Sequence, residues 1–182
     1  MKKTILLGVT GSISAYKAAD IANRLTKQDY NVEVIMTKSA TEFITPLTLQ
    51  VLSKNVVHTD VMAEPDVKKV NHIELAKQAD LFLVAPASAN IIGKLANGIA
   101  DDLLSTIALA LPEDTPKLIA PAMNTQMYAN PIFQRNLATL LELDYEEIEP
   151  RIALLACGDL GKGALADIDL IVKIVNGILK QV

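Results

Sequence analysis

Two apolar runs of this chain end in the same way: residues 83–87 read LVAPA and residues 118–122 read LIAPA. Each stops at Pro and a small residue. Each is followed by groups that do not belong inside a strand, Ser88 and Asn90 after the first and Asn124 after the second. Short, almost wholly apolar strands separated by helical periodicity suit a parallel sheet covered by helices on both faces. Proline fits the end of such a strand, because it donates no ladder hydrogen bond and holds the residue before it extended. In sheets of this kind ligands sit beyond the carboxyl ends of the strands. The two exits therefore mark the expected functional edge.

The rest of the chain alternates in the same manner, which predicts an α/β architecture. Residues 4–9 predict the first strand, and 12–27 a helix whose Ala15, Ala18, Ala19, Ile21, Ala22 and Leu25 share an inner face. Residues 31–36 predict a second strand with the polar exit Thr37, Lys38 and Ser39, then a helical stretch interrupted by Pro46 and resumed over 47–52. The segment 56–66 is ambiguous. Residues 70–78 predict a helix carrying His72, 81–85 a buried strand, and 88–95 and 103–111 two helices around a turn at 98–102. A strand at 117–120, a helix at 131–143, a short strand near 145–148 and an amphipathic helix at 167–179 complete the series. Between the last two, LLACGDLGKG at 154–163 carries three glycines in six residues and predicts a mobile or tightly turned loop. Pattern alone gives no strand order.

The chain has 182 residues, 51% of them hydrophobic, which predicts one domain over 1–182. With 17 basic and 21 acidic residues, a net charge of -4 and no basic block, it lacks the footprint of a nucleic-acid binder. The start MKKTILLGV is reminiscent of a signal peptide, but its apolar run covers only 5–9 and reads better as a strand. No run approaches the roughly 18 apolar residues of a membrane helix. One cysteine precludes an intrachain disulfide framework, and a cytoplasmic address is expected. With no Trp and a mean hydropathy of +0.30, the core rests on Ile, Leu, Val and Ala. The apolar surplus suggests burial between copies of the chain.

The first strand exit, GVTGSISA, lacks the glycine spacing of a dinucleotide fingerprint. Gly11 there permits close backbone approach, Ser12 offers a hydroxyl, and a following helix N-terminus favours a phosphate. Ser12 reads as well as a plain N-cap. Thr37, Ser39, Ser88, Asn90 and Asn124 add neutral hydrogen-bonding groups at the same edge, a set better suited to a phosphorylated heteroaromatic cofactor than to a metal. Clustered His, Cys and carboxylate ligands are missing, so no metal is expected. His58 reads as a surface or strand-end histidine. His72 precedes an apolar helical segment beside Glu74, where an imidazole can take a proton near neutral pH, although spacing alone leaves its role open. Cys157 follows Leu154, Leu155 and Ala156 as a small buried hydrophobe would. It also stands at the hinge of a glycine-rich loop, where a lid forms and a thiol can donate a proton. Asp101 and Asp102 read as a helix N-terminal device, and Met123 and Met127 as packing groups.

Six segments together carry a resemblance over nearly the whole chain: GSISAYK at 11–17, TKSA at 37–40, NHIELAKQADLFLVAPASAN at 71–90, GIADDLLS at 98–105, APAMNTQMYANP at 120–131 and LACGDLGKGALAD at 155–167. The chain resembles the homo-oligomeric flavin-containing cysteine decarboxylases. The resemblance implies a three-layer flavodoxin-like (Rossmann-like) fold. It implies FMN held by Gly11, Ser12, Ile13, Thr37, Lys38, Ser39, Ser88, Ala89, Asn90, Ile91 and Ala122. It further implies His72 as base, Asn124 with Met123 at the substrate carboxylate, Leu154, Leu155 and Ala156 in a closing flap, and Cys157 as proton donor. The implied reaction is decarboxylation of 4'-phospho-N-pantothenoylcysteine to 4'-phosphopantetheine in coenzyme A biosynthesis, through a thioaldehyde and an enethiol. Relatives that decarboxylate a peptide C-terminal cysteine, or that bind flavin as non-catalytic regulatory subunits, are the alternatives. Implied partners are further copies of the chain, as a homotrimer or a dodecamer of trimers with shared sites, and a separate ligase that makes the substrate. Three positions depart from the family pattern: Tyr128 stands where Trp is usual, Ile91 where Thr is common, and 161–167 where the flap often reads GxGRMAE.

Overall fold

A computed structural model describes residues 2–63 and 70–180. Strands β1 (Thr4–Val9), β2 (Asn31–Met36), β3 (Val57–His58), β4 (Leu81–Ala87), β5 (Lys117–Pro121) and β6 (Tyr145–Glu147) form one parallel sheet in the order β3-β2-β1-β4-β5-β6. The chain builds outward from β1 to β3 and then reverses, so β1 and β4 lie side by side at the topological switch point, where such sheets bind ligands. Gly8 pairs with both Ile35 and Val84 across that centre. A Cβ there would stand 2.6 Å from Leu104 Cδ1, so a larger residue on the central strand would force the Leu104 side chain to shift.

Alternation along the strands divides the core in two. Ile5, Leu7, Val34, Leu83 and Ala120 turn toward α1 (Lys17–Lys27), α2 (Pro46–Ser53) and α8 (Ile168–Leu179). Leu6, Ile35, Phe82, Val84 and Ile119 turn toward α3 (Asn71–Gln78), α4 (Ala89–Ala96), α5 (Leu103–Ala110) and α7 (Pro131–Glu142). Every residue of β1 and β4 is buried, the double covering that their unbroken apolar runs predict. A short helix α6 (Thr125–Ala129) follows β5. No described helix is long and apolar enough to cross a membrane.

Three elements differ from the sequence expectation. The helix expected over 12–27 starts as a 3-10 turn, Ile13–Tyr16, capped by Ser12, and becomes α-helical only at Lys17. Pro46 begins α2 instead of interrupting a helix, because the first helical position needs no N–H. The glycine-rich segment is an antiparallel hairpin of β7 (Arg151–Leu154) and β8 (Leu160–Ala164). It lies flat on the loop before α6: Gly163 O accepts from Met123 N–H at 2.9 Å, and a Cβ on Gly161 would meet Thr125 Oγ1 at 2.6 Å. Of the ambiguous segment 56–66, β3 is now placed, while residues 64–66 lie outside the described residues.

Candidate functional site

At the carboxyl edge, side chains sew the strand exits together. Thr10 Oγ1 donates to Pro86 O at 2.7 Å and accepts from Ser88 N–H at 2.9 Å, joining the exits of β1 and β4. Ser12 Oγ donates to Ala122 O at 3.3 Å and so joins β1 to β5. Thr37 N–H donates to Val9 O at 3.0 Å, holding the β2 exit beside β1. Gly11 allows this closeness, since a Cβ on it would stand 2.6 Å from Ser39 Cβ. Ser88 caps α4 by accepting from Ile91 N–H at 3.3 Å.

Two cavities open above these exits and meet at Gly11 and Ser88, which line both. The first, about 350 Å³, is bounded by Thr37, Lys38, Ser39, Asn90, Ile91, Lys94, Asp101 and Asp102. Lys94 Nζ lies 2.6 Å from Asp101 and 2.7 Å from Asp102. Burial works against charge on Lys94 and on Asp102, but the pairing outweighs it. Lys94 is held above the ordinary ammonium value and Asp102 below the ordinary carboxylate value, the latter helped by Ser105. With Lys94 engaged, Lys38 is the lining cation without an ion pair among the described residues.

The second cavity, about 520 Å³, runs from Ile13, Ala89 and Ala122 past Met123 and Asn124 to Leu154, Leu155, Ala156 and Cys157 of the hairpin. Asn124 caps α6: its Oδ1 accepts from Gln126 N–H at 2.8 Å, which turns Nδ2 outward. That amide donates to Cys157 Sγ at 3.2 Å and to Asp159 Oδ2 at 2.9 Å. The charged residues lining this cavity, Lys17 and Arg151, are both cationic. Arg151 is steadied by Leu165 O at 3.0 Å and Asp167 at 3.2 Å.

The donor set suits a phosphorylated flat ring. Ile13, Ala89 and Ala122 give apolar walls, Ser12, Thr37, Ser39, Ser88 and Asn90 give neutral hydrogen-bonding groups, and Lys38 beside the N-terminus of α4 gives a place for phosphate. Every residue named for FMN lines one cavity or the other, and Met123, Asn124, Leu154, Leu155, Ala156 and Cys157 gather in the second. Cys157 is exposed, which removes the reading of it as a buried hydrophobe. His72 lines neither cavity. It is the second residue of α3, and its buried Nδ1 has no hydrogen-bond partner among the described residues. Sequence reasoning passed over Thr10, Lys94, Arg151 and Asp159. The last had a signal: glycine between Cys157 and Asp159 permits a turn that brings the two side chains together.

The Flavoprotein family matches residues 1–180. A probable phosphopantothenoylcysteine decarboxylase of Streptococcus mutans is 60% identical, with 95% of this chain and 97% of that protein aligned. The coenzyme A biosynthesis bifunctional protein CoaBC of Bacillus subtilis is 48% identical over 96% of this chain, which spans only 42% of that protein. Among solved structures, a cysteine-to-serine mutant of PPC decarboxylase complexed with pantothenoylaminoethenethiol superposes with a TM-score of 0.89 at 35% identity, covering 99% of this chain and 100% of that one. The FMN binding protein AtHal3 superposes with a TM-score of 0.86 at 35% identity, covering 100% and 99%.

Proposed function

The chain belongs to the flavoprotein family, and we propose that within it this protein is an FMN-dependent decarboxylase converting 4'-phospho-N-pantothenoylcysteine to 4'-phosphopantetheine, a step of coenzyme A biosynthesis. The observation that carries this reading is the meeting of Asn124 and Cys157 at 3.2 Å over a cavity continuous with the polar cradle of the strand exits.

Direct loss of carbon dioxide from a cysteine carboxylate leaves an electron pair with no acceptor. FMN, when bound, supplies a two-electron acceptor and afterwards returns the same pair. The chain's own residues do the rest. Asn124, its amide fixed by Gln126, offers Nδ2–H to the substrate carboxylate. Leu154, Leu155 and Ala156 close over the substrate and exclude water. Cys157 protonates the carbon of the enethiol that has lost its carboxylate. Lys17 and Arg151 favour a substrate carrying a phosphate as well as a carboxylate, which supports the phosphorylated small molecule over a peptide. His72 takes the proton released in the first step, acting in the cavity of an adjoining copy. Exposed Ile13, Tyr16 and Phe43 at the rim of the second cavity support such assembly, as a trimer or a larger array of trimers. An exposed catalytic thiol stays reduced in the cytoplasm, and the exposed Cys157 supports a cytoplasmic location.

Incubating the purified flavin-loaded protein with 4'-phospho-N-pantothenoylcysteine tests the proposal. Carbon dioxide and 4'-phosphopantetheine are expected in equal amounts. The Cys157→Ser variant still releases carbon dioxide but loses the saturated product by about 10²-fold or more, the usual weight of a general acid, and accumulates the enethiol. Carbon dioxide release only from a peptide ending in cysteine, or from neither substrate, overturns the reading.

A further inference from the structure

Asp159 takes no part in the roles assigned above, yet its carboxylate holds both polar groups that face the substrate. Oδ2 accepts from Asn124 Nδ2 at 2.9 Å and from Cys157 Sγ at 3.3 Å. The local backbone makes this possible. Gly158 sits at φ +90, in the left-handed region that favours glycine. Its N–H donates to Leu155 O at 2.9 Å, and Leu155 N–H donates to Asp159 O at 2.8 Å. The turn closes on itself and folds Asp159 back over Cys157. Both side chains are exposed to solvent, so the pairing is not a residue of core packing.

We propose that Asp159 is a positioning residue for Cys157 and Asn124, holding the thiol as a proton donor and the amide with Nδ2–H toward the cavity. The proposal rests on the proposed decarboxylation. An acid must carry its proton when the enethiol arrives. The charged groups lining the cavity from the other elements are Lys17 of α1 and Arg151 of β7, the latter already paired with Asp167 at 3.2 Å. Asp159 is the anion in direct contact with the thiol, and its Oδ2 accepts the S–H at 3.3 Å. It also keeps the thiol beside Asn124, whose Nδ2–H donates to Sγ at 3.2 Å, at the side of the cavity that receives the substrate carboxylate. In the step itself the S–H bond breaks and its electron pair stays on sulfur. The π pair of the enethiol forms the new C–H bond, the carbon bearing sulfur takes up the electron pair that bound FMN would return, and solvent returns a proton to the exposed thiolate. Asp159 gains and loses no proton. The same carboxylate fixes the orientation of Asn124, because Oδ1 in place of Nδ2 would set an acceptor against an acceptor.

Cys157 is the only cysteine of the chain, so alkylation reads it without interference. Iodoacetamide at pH 7, with the flavin-loaded protein and no substrate, is expected to modify Asp159→Asn several-fold faster than the unaltered protein, since the S–H is then no longer held against a carboxylate. Asp159→Glu, which keeps the charge, stays near the original rate. With 4'-phospho-N-pantothenoylcysteine, Asp159→Asn releases carbon dioxide but lets a larger fraction escape as enethiol, and Asp159→Glu restores the saturated product. Unchanged thermal midpoints show that both variants fold. An original alkylation rate in Asp159→Asn overturns the proposal whatever the turnover. Faster alkylation in a protein whose unaltered form releases no carbon dioxide upholds the hold on the thiol and instead removes the proposed reaction.

Discussion

Tyr128 donates its hydroxyl proton to Glu147 Oε1 at 2.8 Å, while Lys162 Nζ of the hairpin stands 5.3 Å from the centre of the tyrosine ring. Burial, and then Glu147, push the phenol up to about 12. Burial also raises Glu147 above its ordinary value of 4.5, outweighing the hydrogen bond from Tyr128 and the charge of Lys162. A carboxyl raised on folding binds more protons in the folded than in the unfolded state, so its contribution to stability falls as pH rises from 4.5 through the folded value. Glu147→Gln keeps an acceptor for Tyr128 and removes the titration. Its thermal midpoint is expected to fall less steeply than that of the unaltered protein between pH 4.5 and neutrality, and parallel curves in a pH series of melts would refute this. None of this was legible in sequence, where Tyr128 registered only as a departure from a family pattern. Its partners come from β6 and β8, which pattern does not bring together. Ser88, Asn124 and Thr37 were legible, because polar groups directly after an apolar strand have one place to go.

Among the elements, α5 shows how far local chemistry reaches. Asp102 accepts from Ser105 N–H at 2.9 Å, and Ser105 Oγ accepts in return from Asp102 N–H at 3.4 Å, closing a capping box. Lys94 adds a contact of 2.7 Å from the end of α4. Replacing Asp102 by Ala is expected to cost about 1–2 kcal/mol, the upper range for a lost cap, read as a lower urea midpoint with an unchanged slope. An unshifted midpoint would show that Lys94 and Asp101 suffice. The sequence announced this cap, since its partners are three residues apart. The hairpin of β7 and β8 was not announced. LGKG has the composition of a turn, and its glycines become intelligible only against Met123 and Thr125, which stand more than thirty positions away.

On the scale of the whole molecule, the second cavity is flanked by apolar side chains left in solvent, Ile13 at 61% exposure, Tyr16 at 59% and Phe43 at 49%, and the proposed base His72 lies outside it. The proposed sharing of the site between copies predicts complementation. Neither His72→Asn nor Cys157→Ser alone completes the reaction, whereas coexpressed and assembled together they recover a fraction of the original formation of 4'-phosphopantetheine. Failure to recover, with mixed assemblies shown by mass, would place base and acid in one copy. By itself the sequence determined an α/β class with helices on both faces of a parallel sheet, the edge at which the candidate site lies and the polar groups beside its strand ends. Those features are written in periodicity and in polar groups next to strand ends, and both are local. Only the tertiary structure decided the strand order, the hairpin, the grip of Asp159 on Cys157 and the distance of His72 from the cavity. Each depends on which surfaces close-pack across large separations in the chain, and hydrophobic burial rewards that contact without leaving a periodic trace in the residues that make it.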